Sequence, residues 1–203
     1  MSESRYGPGS ALVVVDMQVD FGSPDGGLYV DRGEETVPVV NEEIDAAVAA
    51  GSPVYYTRDW HPPVTPHFAK DGGIWPVHCV VGTPGAELLA DLHIEGKLVH
   101  KGVSGEDGYS GFTVRDPDTG QTETTELDDF LRNDDVKSIV VVGLAGDYCV
   151  KETALDGVRL GYGVTVPLAA TRFVNLERGD DEAAVAEMTS AGVRVEGTLP
   201  TGA

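Results

Sequence analysis

The stretch that decides the fold is SIVVVGLAGDYCV, residues 138–150. Its first part, from Ile139 to Val142, is an apolar run of β-branched residues, which is typical of a strand buried on both faces. A short turn then leads to Cys149. Beyond the turn, apolar residues from Val150 to Val158 recur at helical spacing, which predicts a helix. The sequence therefore places Cys149 at the junction between a buried strand and a helix.

The rest of the chain repeats this alternation of strand and helix. Such an order favours an α/β fold with a doubly wound, mainly parallel sheet of about six strands and helices on both faces, a three-layer sandwich. The predicted strands are residues 11–15, 53–57, 97–100, 138–143, 163–167 and 193–195. The predicted helices are residues 37–48, 127–131, 150–158 and 180–191. We expect long loops at residues 22–33, 60–82 and 102–123.

Length and composition narrow the class of protein. At 203 residues we expect a single domain, with loose tails at residues 1–9 and 197–203. The net charge of -20 argues against partners rich in phosphate, both nucleic acid and anionic membranes. Two cysteines are too few for a disulfide framework, and we recognise no signal peptide, so we expect a reducing cytoplasm. The oligomeric state is left open, a homo-oligomer included.

Four chemically active residues lie at or just past the carboxyl ends of predicted strands: Asp16, Asp59, Lys101 and Cys149. Parallel sheets bind ligands at that edge. We therefore expect these side chains, which come from four different strands, to face one crevice.

Three of these residues, Cys149, Asp16 and Lys101, indicate a hydrolase with a Cys-Asp-Lys catalytic triad. Cys149 at a helix N-terminus would have a lowered thiol pKa, and Lys101 would stabilise the thiolate. Asp16 would carry protons, since partial burial raises a carboxyl pKa. The backbone N–H groups of Cys149 and of a residue at 144–146, for which we take Ala145, would bind an oxyanion. Each residue also has a plain alternative: Cys149 as a buried core thiol, Lys101 as a surface lysine, Asp16 as a helix cap.

A metal site is predicted by a cluster of imidazoles beside a carboxylate. Three of the five histidines fall within 18 residues of each other, and the candidate ligands are Asp59, His61, His67 and His78. Zinc, iron and manganese all accept this set, zinc being our first choice. Four protein ligands could also close a structural zinc site. The loops of the same crevice contain three aromatic residues that would either bind substrate or anchor the loops: Phe21, Trp75 and Tyr109.

With these motifs the chain resembles the isochorismatase-like cysteine hydrolases and, within them, the nicotinamidases (pyrazinamidases). The resemblance runs from about residue 11 to residue 195. The segments that carry it are VDMQVDF (15–21), TRDWHP (57–62), HF (67–68), WPVHCVVGT (75–83), KG (101–102), YSGF (109–112) and GLAGDYCV (143–150).

The resemblance implies hydrolysis of nicotinamide, and of pyrazinamide, to the acid and ammonia through a thioester, in NAD salvage. It implies that Cys149 attacks the carboxamide, that Asp16 shuttles protons and that Lys101 supports both charges. The metal would bind the pyridine nitrogen, and Phe21 and Trp75 would sandwich the ring. The bond between residues 144 and 145 would be cis.

Two positions depart from the family pattern. Gly146 stands where nicotinamidases often have Thr, so we expect a looser turn before Cys149. Residues 102–108 form a slightly longer, acidic segment, so we expect access to the crevice to differ. Two other functions stay open: hydrolysis of another small amide by the same fold, and metal-dependent binding without catalysis.

Overall fold

The computed structural model describes residues 5–200. Apolar runs rich in β-branched residues form the central strands, as expected of a sheet covered on both faces. The strands are β1 (Ser10–Val15), β2 (Val54–Asp59), β3 (Lys97–Lys101), β4 (Thr113–Arg115), β5 (Thr122–Thr124), β6 (Ser138–Leu144), β7 (Gly163–Pro167), β8 (Thr171–Arg172) and β9 (Arg194–Glu196). The α-helices are α1 (Val19–Gly22), α2 (Thr36–Ala49), α3 (Leu127–Asn133), α4 (Cys149–Arg159) and α5 (Asp180–Ala191).

The main sheet is parallel throughout and has the order β3-β2-β1-β6-β7-β9, with β8 paired to β6. This confirms the predicted α/β class. The sheet has seven strands rather than six, because the two-residue strand β8 is too short to leave a pattern in the sequence.

The expected loop at residues 102–123 is only partly a loop. Its second half forms an antiparallel hairpin, in which β4 pairs with β5. The prediction was wrong here because each strand has only three residues, β4 is only partly buried and β5 is exposed, so the sequence pattern is too short to mark a strand.

The core lies in two layers, one on each face of the sheet. Along β1, Val13 and Val15 pack into one layer, whereas Leu12 and Val14 pack into the other. This follows from the two-residue period of a strand. Helix α2 covers the second layer, and the first is covered by α3, α4 and α5. Because β1 has a partner on both edges and a helix layer on both faces, its carboxyl end opens into the middle of the molecule.

The amino-terminal segment is better anchored than the sequence suggests. Tyr6 is buried and its hydroxyl donates a hydrogen bond to Glu43 of α2 at 2.6 Å. Arg5 pairs with Glu43 and with Glu196 of β9. Residues 5–9 are therefore not a loose tail, and residues 1–4 and 201–203 of the predicted tails lie outside the described part. These contacts support the proposal that the chain forms one domain. No helix within residues 5–200 is long and apolar enough to cross a membrane.

Candidate active site and metal centre

Four parallel strands bring the predicted reactive residues to one edge of the sheet. Asp16 follows β1, Asp59 ends β2, Lys101 ends β3, and Cys149 begins α4 just beyond β6. Since β1 lies between β2 and β6, Asp16 occupies the middle of the group. All four residues are buried. The convergence that the order of elements predicts is therefore present.

Asp16 is held by two donors. Its backbone has a φ of 48°, in the left-handed region, so the chain turns sharply out of β1 at this residue. The Thr57 hydroxyl donates to Oδ1 at 2.7 Å, and Lys101 Nζ donates to Oδ2 at 2.6 Å. Burial raises the pKa of Asp16 to about 6; Lys101 opposes this rise and the negative charge of Asp59 adds to it. A carboxyl group with such a pKa can both accept and return a proton near neutral pH.

Lys101 is fully buried between two carboxylates. Its Nζ lies 2.6 Å from Asp16 Oδ2 and 2.9 Å from Asp59 Oδ1, and it also donates to the carbonyl of Gly108. Burial alone would lower the pKa of Lys101, but the charges of Asp16 and Asp59 outweigh it and raise the pKa well above its usual value. The ammonium is therefore a fixed positive charge, and the alternative of a surface lysine is wrong.

Cys149 is the first residue of α4 and is 8% exposed. Its sulfur lies within 4.8 Å of the carboxylate oxygens of Asp16 and Asp59. Burial raises the pKa of the thiol well above its usual value; Lys101 opposes the rise, and Asp16 and Asp59 add to it. The expectation of a lowered thiol pKa was wrong, because burial and two carboxylates outweigh the lysine. Before substrate binds, Cys149 is therefore a thiol beside the carboxylate of Asp16.

The turn before Cys149 exposes backbone donors. The Leu144–Ala145 peptide bond is cis, as the family resemblance implies. Gly146 N–H donates to the carbonyl of Arg172 at 2.7 Å, which ties the turn to β8. Within residues 5–200, no backbone carbonyl accepts from the N–H of Ala145 or of Cys149. Both groups are therefore free to serve the predicted oxyanion site.

The looser turn expected at Gly146 stays a prediction, but this glycine is closely packed. A Cβ atom on Gly146 would lie 2.5 Å from Cε1 of Phe173. The buried Phe173 ring thus fills the space next to the turn, where the Thr side chain of the family pattern would need room. The turn is supported by packing against an aromatic ring.

The three predicted imidazole ligands meet in one buried cluster. One ligand atom from each of His61, His67 and His78 lies within 4.8 Å of the others. His78 Nδ1 lies 2.8 Å from the carbonyl oxygen of Pro76, which leaves Nε2 for the cluster. Burial lowers the pKa of His78 to about 4, so its imidazole is neutral, as a metal ligand must be.

Asp59 lies beside two imidazoles of this cluster. Its Oδ2 lies 3.7 Å from His61 Nε2 and 3.9 Å from His78 Nε2. Burial would raise the pKa of Asp59, but Lys101 and the imidazoles outweigh it and hold the pKa far below its usual range, so the group is a carboxylate. Two atoms bonded to one ion at about 2.1 Å can be about 4.2 Å apart at most, and both distances satisfy this limit.

His61 supplies the sharpest test of whether a metal fits. Both of its ring nitrogens are buried, and neither has a hydrogen-bond partner among the described residues. A buried unsatisfied polar group costs roughly 1–3 kcal/mol, so such a group needs an explanation. A cation shared with its neighbours would satisfy one of the two nitrogens, and the residues present therefore fit a divalent metal ion.

One pocket joins the imidazole cluster to Cys149. The three predicted aromatic residues line it, and Trp75 Nε1 donates to the Tyr109 hydroxyl at 2.8 Å. Sequence reasoning missed four further lining residues: Leu28, Val30, Tyr148 and Val174. Of these, Tyr148 had a usable signal, since it directly precedes Cys149.

Two buried polar residues that support the site were also missed. Thr57 binds Asp16, as described above. The Gln18 side chain forms two hydrogen bonds with the backbone of Asp59. Its Nε2 donates to the Asp59 carbonyl at 2.8 Å, and its Oε1 accepts from the Asp59 N–H at 2.8 Å. Gln18 thereby fixes the end of β2, where the metal cluster begins.

Comparison with known proteins agrees with this geometry. The chain is similar to the nicotinamidase of Escherichia coli, with 38% identity covering 91% of this chain and 93% of the relative. It is similar to the nicotinamidase of Saccharomyces cerevisiae, with 34% identity covering 81% and 88%. A solved structure, the pyrazinamidase of Pyrococcus horikoshii in complex with zinc, superimposes with a TM-score of 0.83 at 38% identity, covering 94% of this chain and 100% of that one.

A protein-family model also matches the chain. The model described as the isochorismatase domain matches residues 10–198, which include every strand of the parallel sheet and every residue of the site. The chain therefore belongs to the isochorismatase family.

Proposed function

We propose that the chain is a nicotinamidase, an amidohydrolase that converts nicotinamide to nicotinate and ammonia, and pyrazinamide to its acid, in NAD salvage. The observation that carries the proposal is one pocket lined both by Cys149 and by residues of the imidazole cluster. A carboxamide on a nitrogen-containing ring offers a group for each end of such a pocket. The relatives named above support the same activity.

The first half-reaction would form a thioester on Cys149. Asp16 takes the thiol proton as the sulfur attacks the carboxamide carbon, so a thiolate need not exist beforehand. The N–H groups of Ala145 and Cys149 stabilise the oxyanion; losing one such donor costs roughly 3–4 kcal/mol in comparable sites. Asp16 then gives its proton to the leaving nitrogen, the C–N bond breaks, and ammonia departs.

The second half-reaction would release the acid. Asp16, again a carboxylate, takes a proton from water as its oxygen attacks the thioester carbon. The C–S bond breaks, and the proton on Asp16 returns to the sulfur. Lys101 holds Asp16 in place through the 2.6 Å contact and offsets negative charge in both steps.

Substrate binding is the role that we propose for the other lining residues. His61, His67, His78 and Asp59 would hold one divalent metal ion, which when bound supplies an electron-pair acceptor for the ring nitrogen. Phe21, Trp75 and Tyr109 would enclose the ring. Zinc is our first choice among the metals, since nitrogen and carboxylate ligands suit it and a relative binds it.

The surroundings of the enzyme are part of the proposal. Both cysteines are free thiols, which favours a reducing cytoplasm as the compartment. The acidic net charge supports a small-molecule partner rather than nucleic acid or an anionic membrane. The proposal includes a homo-oligomer as the assembly that a measurement of the oligomeric state would test.

The test is ammonia release from nicotinamide by the metal-loaded protein and by Cys149→Ala. We expect steady release by the parent chain and none above background by the variant, since no other side chain replaces the sulfur. Nicotinamide binding and the unfolding temperature of the variant serve as controls for folding. Release by Cys149→Ala at the parent rate would overturn the mechanism, and no release by the parent would overturn the proposed activity.

A further inference from the structure

Asp107 lies in the acidic segment formed by residues 102–108. Its Oδ1 lies 2.6 Å from Nδ1 of His67. The His67 side chain is 4% exposed and that of Asp107 is 18% exposed, so this contact is largely shielded from water. The carboxylate of Asp107 therefore contacts a proposed metal ligand, His67, at its Nδ1 atom.

Asp107 is fixed by backbone contacts on one side. Its N–H donates to the carbonyl of Arg115 at 2.8 Å, and the N–H of Arg115 donates back to the carbonyl of Asp107 at 2.9 Å. Arg115 is the last residue of β4. The β4–β5 hairpin therefore holds the backbone from which the carboxylate reaches His67.

The same segment is tied to the metal loop at a second point. The Thr65 hydroxyl donates to the carbonyl of Gly105 at 2.7 Å, and the oxygen of that hydroxyl accepts from the backbone N–H of His67 at 3.1 Å. Residues 102–108 thus contact the ring of His67 directly and its backbone through Thr65.

The chemistry of imidazole gives this contact a consequence. A neutral imidazole carries one N–H, and a carboxylate at Nδ1 accepts from it, so the proton stays on Nδ1. The lone pair of Nε2 is then left for a metal. A carboxylate in this position also makes the ring a more basic ligand. The partner of His78 is weaker in this respect, since its Nδ1 faces a neutral carbonyl, that of Pro76.

We propose that Asp107 is a positioning residue of the metal centre: it fixes the tautomer and the orientation of His67 and connects them to the β4–β5 hairpin. The proposal rests on the metal site of the proposed function. It makes the acidic segment part of metal binding and not only a border of the crevice.

The experiment measures zinc affinity of the metal-free protein by competition with a chromophoric chelator, which requires no amidase activity. Asp107→Ala should bind zinc about 10- to 100-fold more weakly than the parent chain. Asp107→Asn, which has the same shape and retains an acceptor oxygen, should lie between the two. Glu106→Gln is the matched control, because it removes the same charge one residue away and Glu106 instead accepts from the N–H of Ser104. It should bind zinc as the parent does.

A second readout reports on the tautomer directly. Nitrogen-15 spectra of the histidine side chains in the zinc-loaded parent should show the proton of His67 on Nδ1, and a proton on Nε2 would overturn the proposal. Unchanged zinc affinity in both Asp107 variants would overturn it as well, while leaving the proposed metal site intact. A parent chain that binds no zinc would instead overturn the metal site itself. If Asp107→Ala does not fold, the affinity of Asp107→Asn decides.

Discussion

Replacing Thr57 with valine would remove one hydrogen bond from the centre of the site. The Thr57 hydroxyl donates to Asp16 Oδ1 at 2.7 Å, and both residues are fully buried. Valine has nearly the same shape, so Thr57→Val deletes the donor while keeping the methyl group that packs towards Gly111. The change therefore acts on the proton carrier with little effect on the fold.

The size of the effect follows from this contact. A hydrogen bond to a charged group contributes about 1.5–3 kcal/mol, and it lowers the pKa of Asp16 because it favours the carboxylate. Removing it should raise that pKa from about 6 by about one to two units. Since the ionised form of Asp16 is needed to take the thiol proton, kcat/KM at pH 6 should fall about 5- to 50-fold. The loss should shrink as the pH rises.

The assay is the pH profile of kcat/KM for ammonia release by the parent chain, Thr57→Val and Thr57→Ser. Serine keeps the hydroxyl and loses the methyl group, so its profile should stay close to that of the parent. The reasoning is refuted if the acid limb of Thr57→Val coincides with that of the parent. It is also refuted if the two variants shift equally, because the hydroxyl would then have no special part.

Three further outcomes are expected. Gly146→Thr should lower the unfolding temperature and kcat, because its Cβ would press on the Phe173 ring at a cost of about 1–3 kcal/mol. The same substitution should lower the unfolding temperature less in a Phe173→Ala chain than in the parent chain, and an equal drop in both would contradict the packing argument. Chelation of the metal should lower the unfolding temperature reversibly, since an ion bound only by the folded state stabilises it, and equal melting with and without zinc would contradict a metal site. Tyr6→Phe should lower the free energy of unfolding in urea by about 1.5 kcal/mol, as it removes the 2.6 Å bond to Glu43; an unchanged value would mean that the amino-terminal anchor adds no stability.

The fold and the meeting of the reactive residues could be predicted from sequence because both depend on strong local signals. Buried parallel strands require apolar runs rich in β-branched residues, such as those within residues 10–15 and 138–144. A parallel sheet places the carboxyl ends of its strands at one edge, so Asp16 and Lys101 converge even though 84 residues separate them.

The residues that support the site could not be predicted in the same way. In a strand, Thr57 reads as one more β-branched residue, and nothing local reveals that its hydroxyl faces Asp16. Gln18 and Asp107 act on residues 41 and 40 positions away, and Asp107 is hidden by the acidity of the whole chain. The hairpin that holds Asp107 has polar residues on both faces, so no period marks it.

The direction of the thiol pKa is a balance that sequence cannot settle. The helix terminus and Lys101 both favour thiolate, and sequence reasoning found both. Burial and the charges of Asp16 and Asp59 act in the opposite direction and prevail. Their weight depends on distances and exposure that only the folded chain has.

The central claim is that the imidazole cluster holds a ring nitrogen while Cys149, Asp16 and Lys101 break the amide bond. The most direct test compares ammonia release by the zinc-loaded protein from nicotinamide and from benzamide, which lacks the ring nitrogen. We predict a much higher kcat/KM for nicotinamide, carried mainly by a lower KM. Equal kcat/KM for the two amides would contradict the claim, because the metal centre would then take no part in substrate binding.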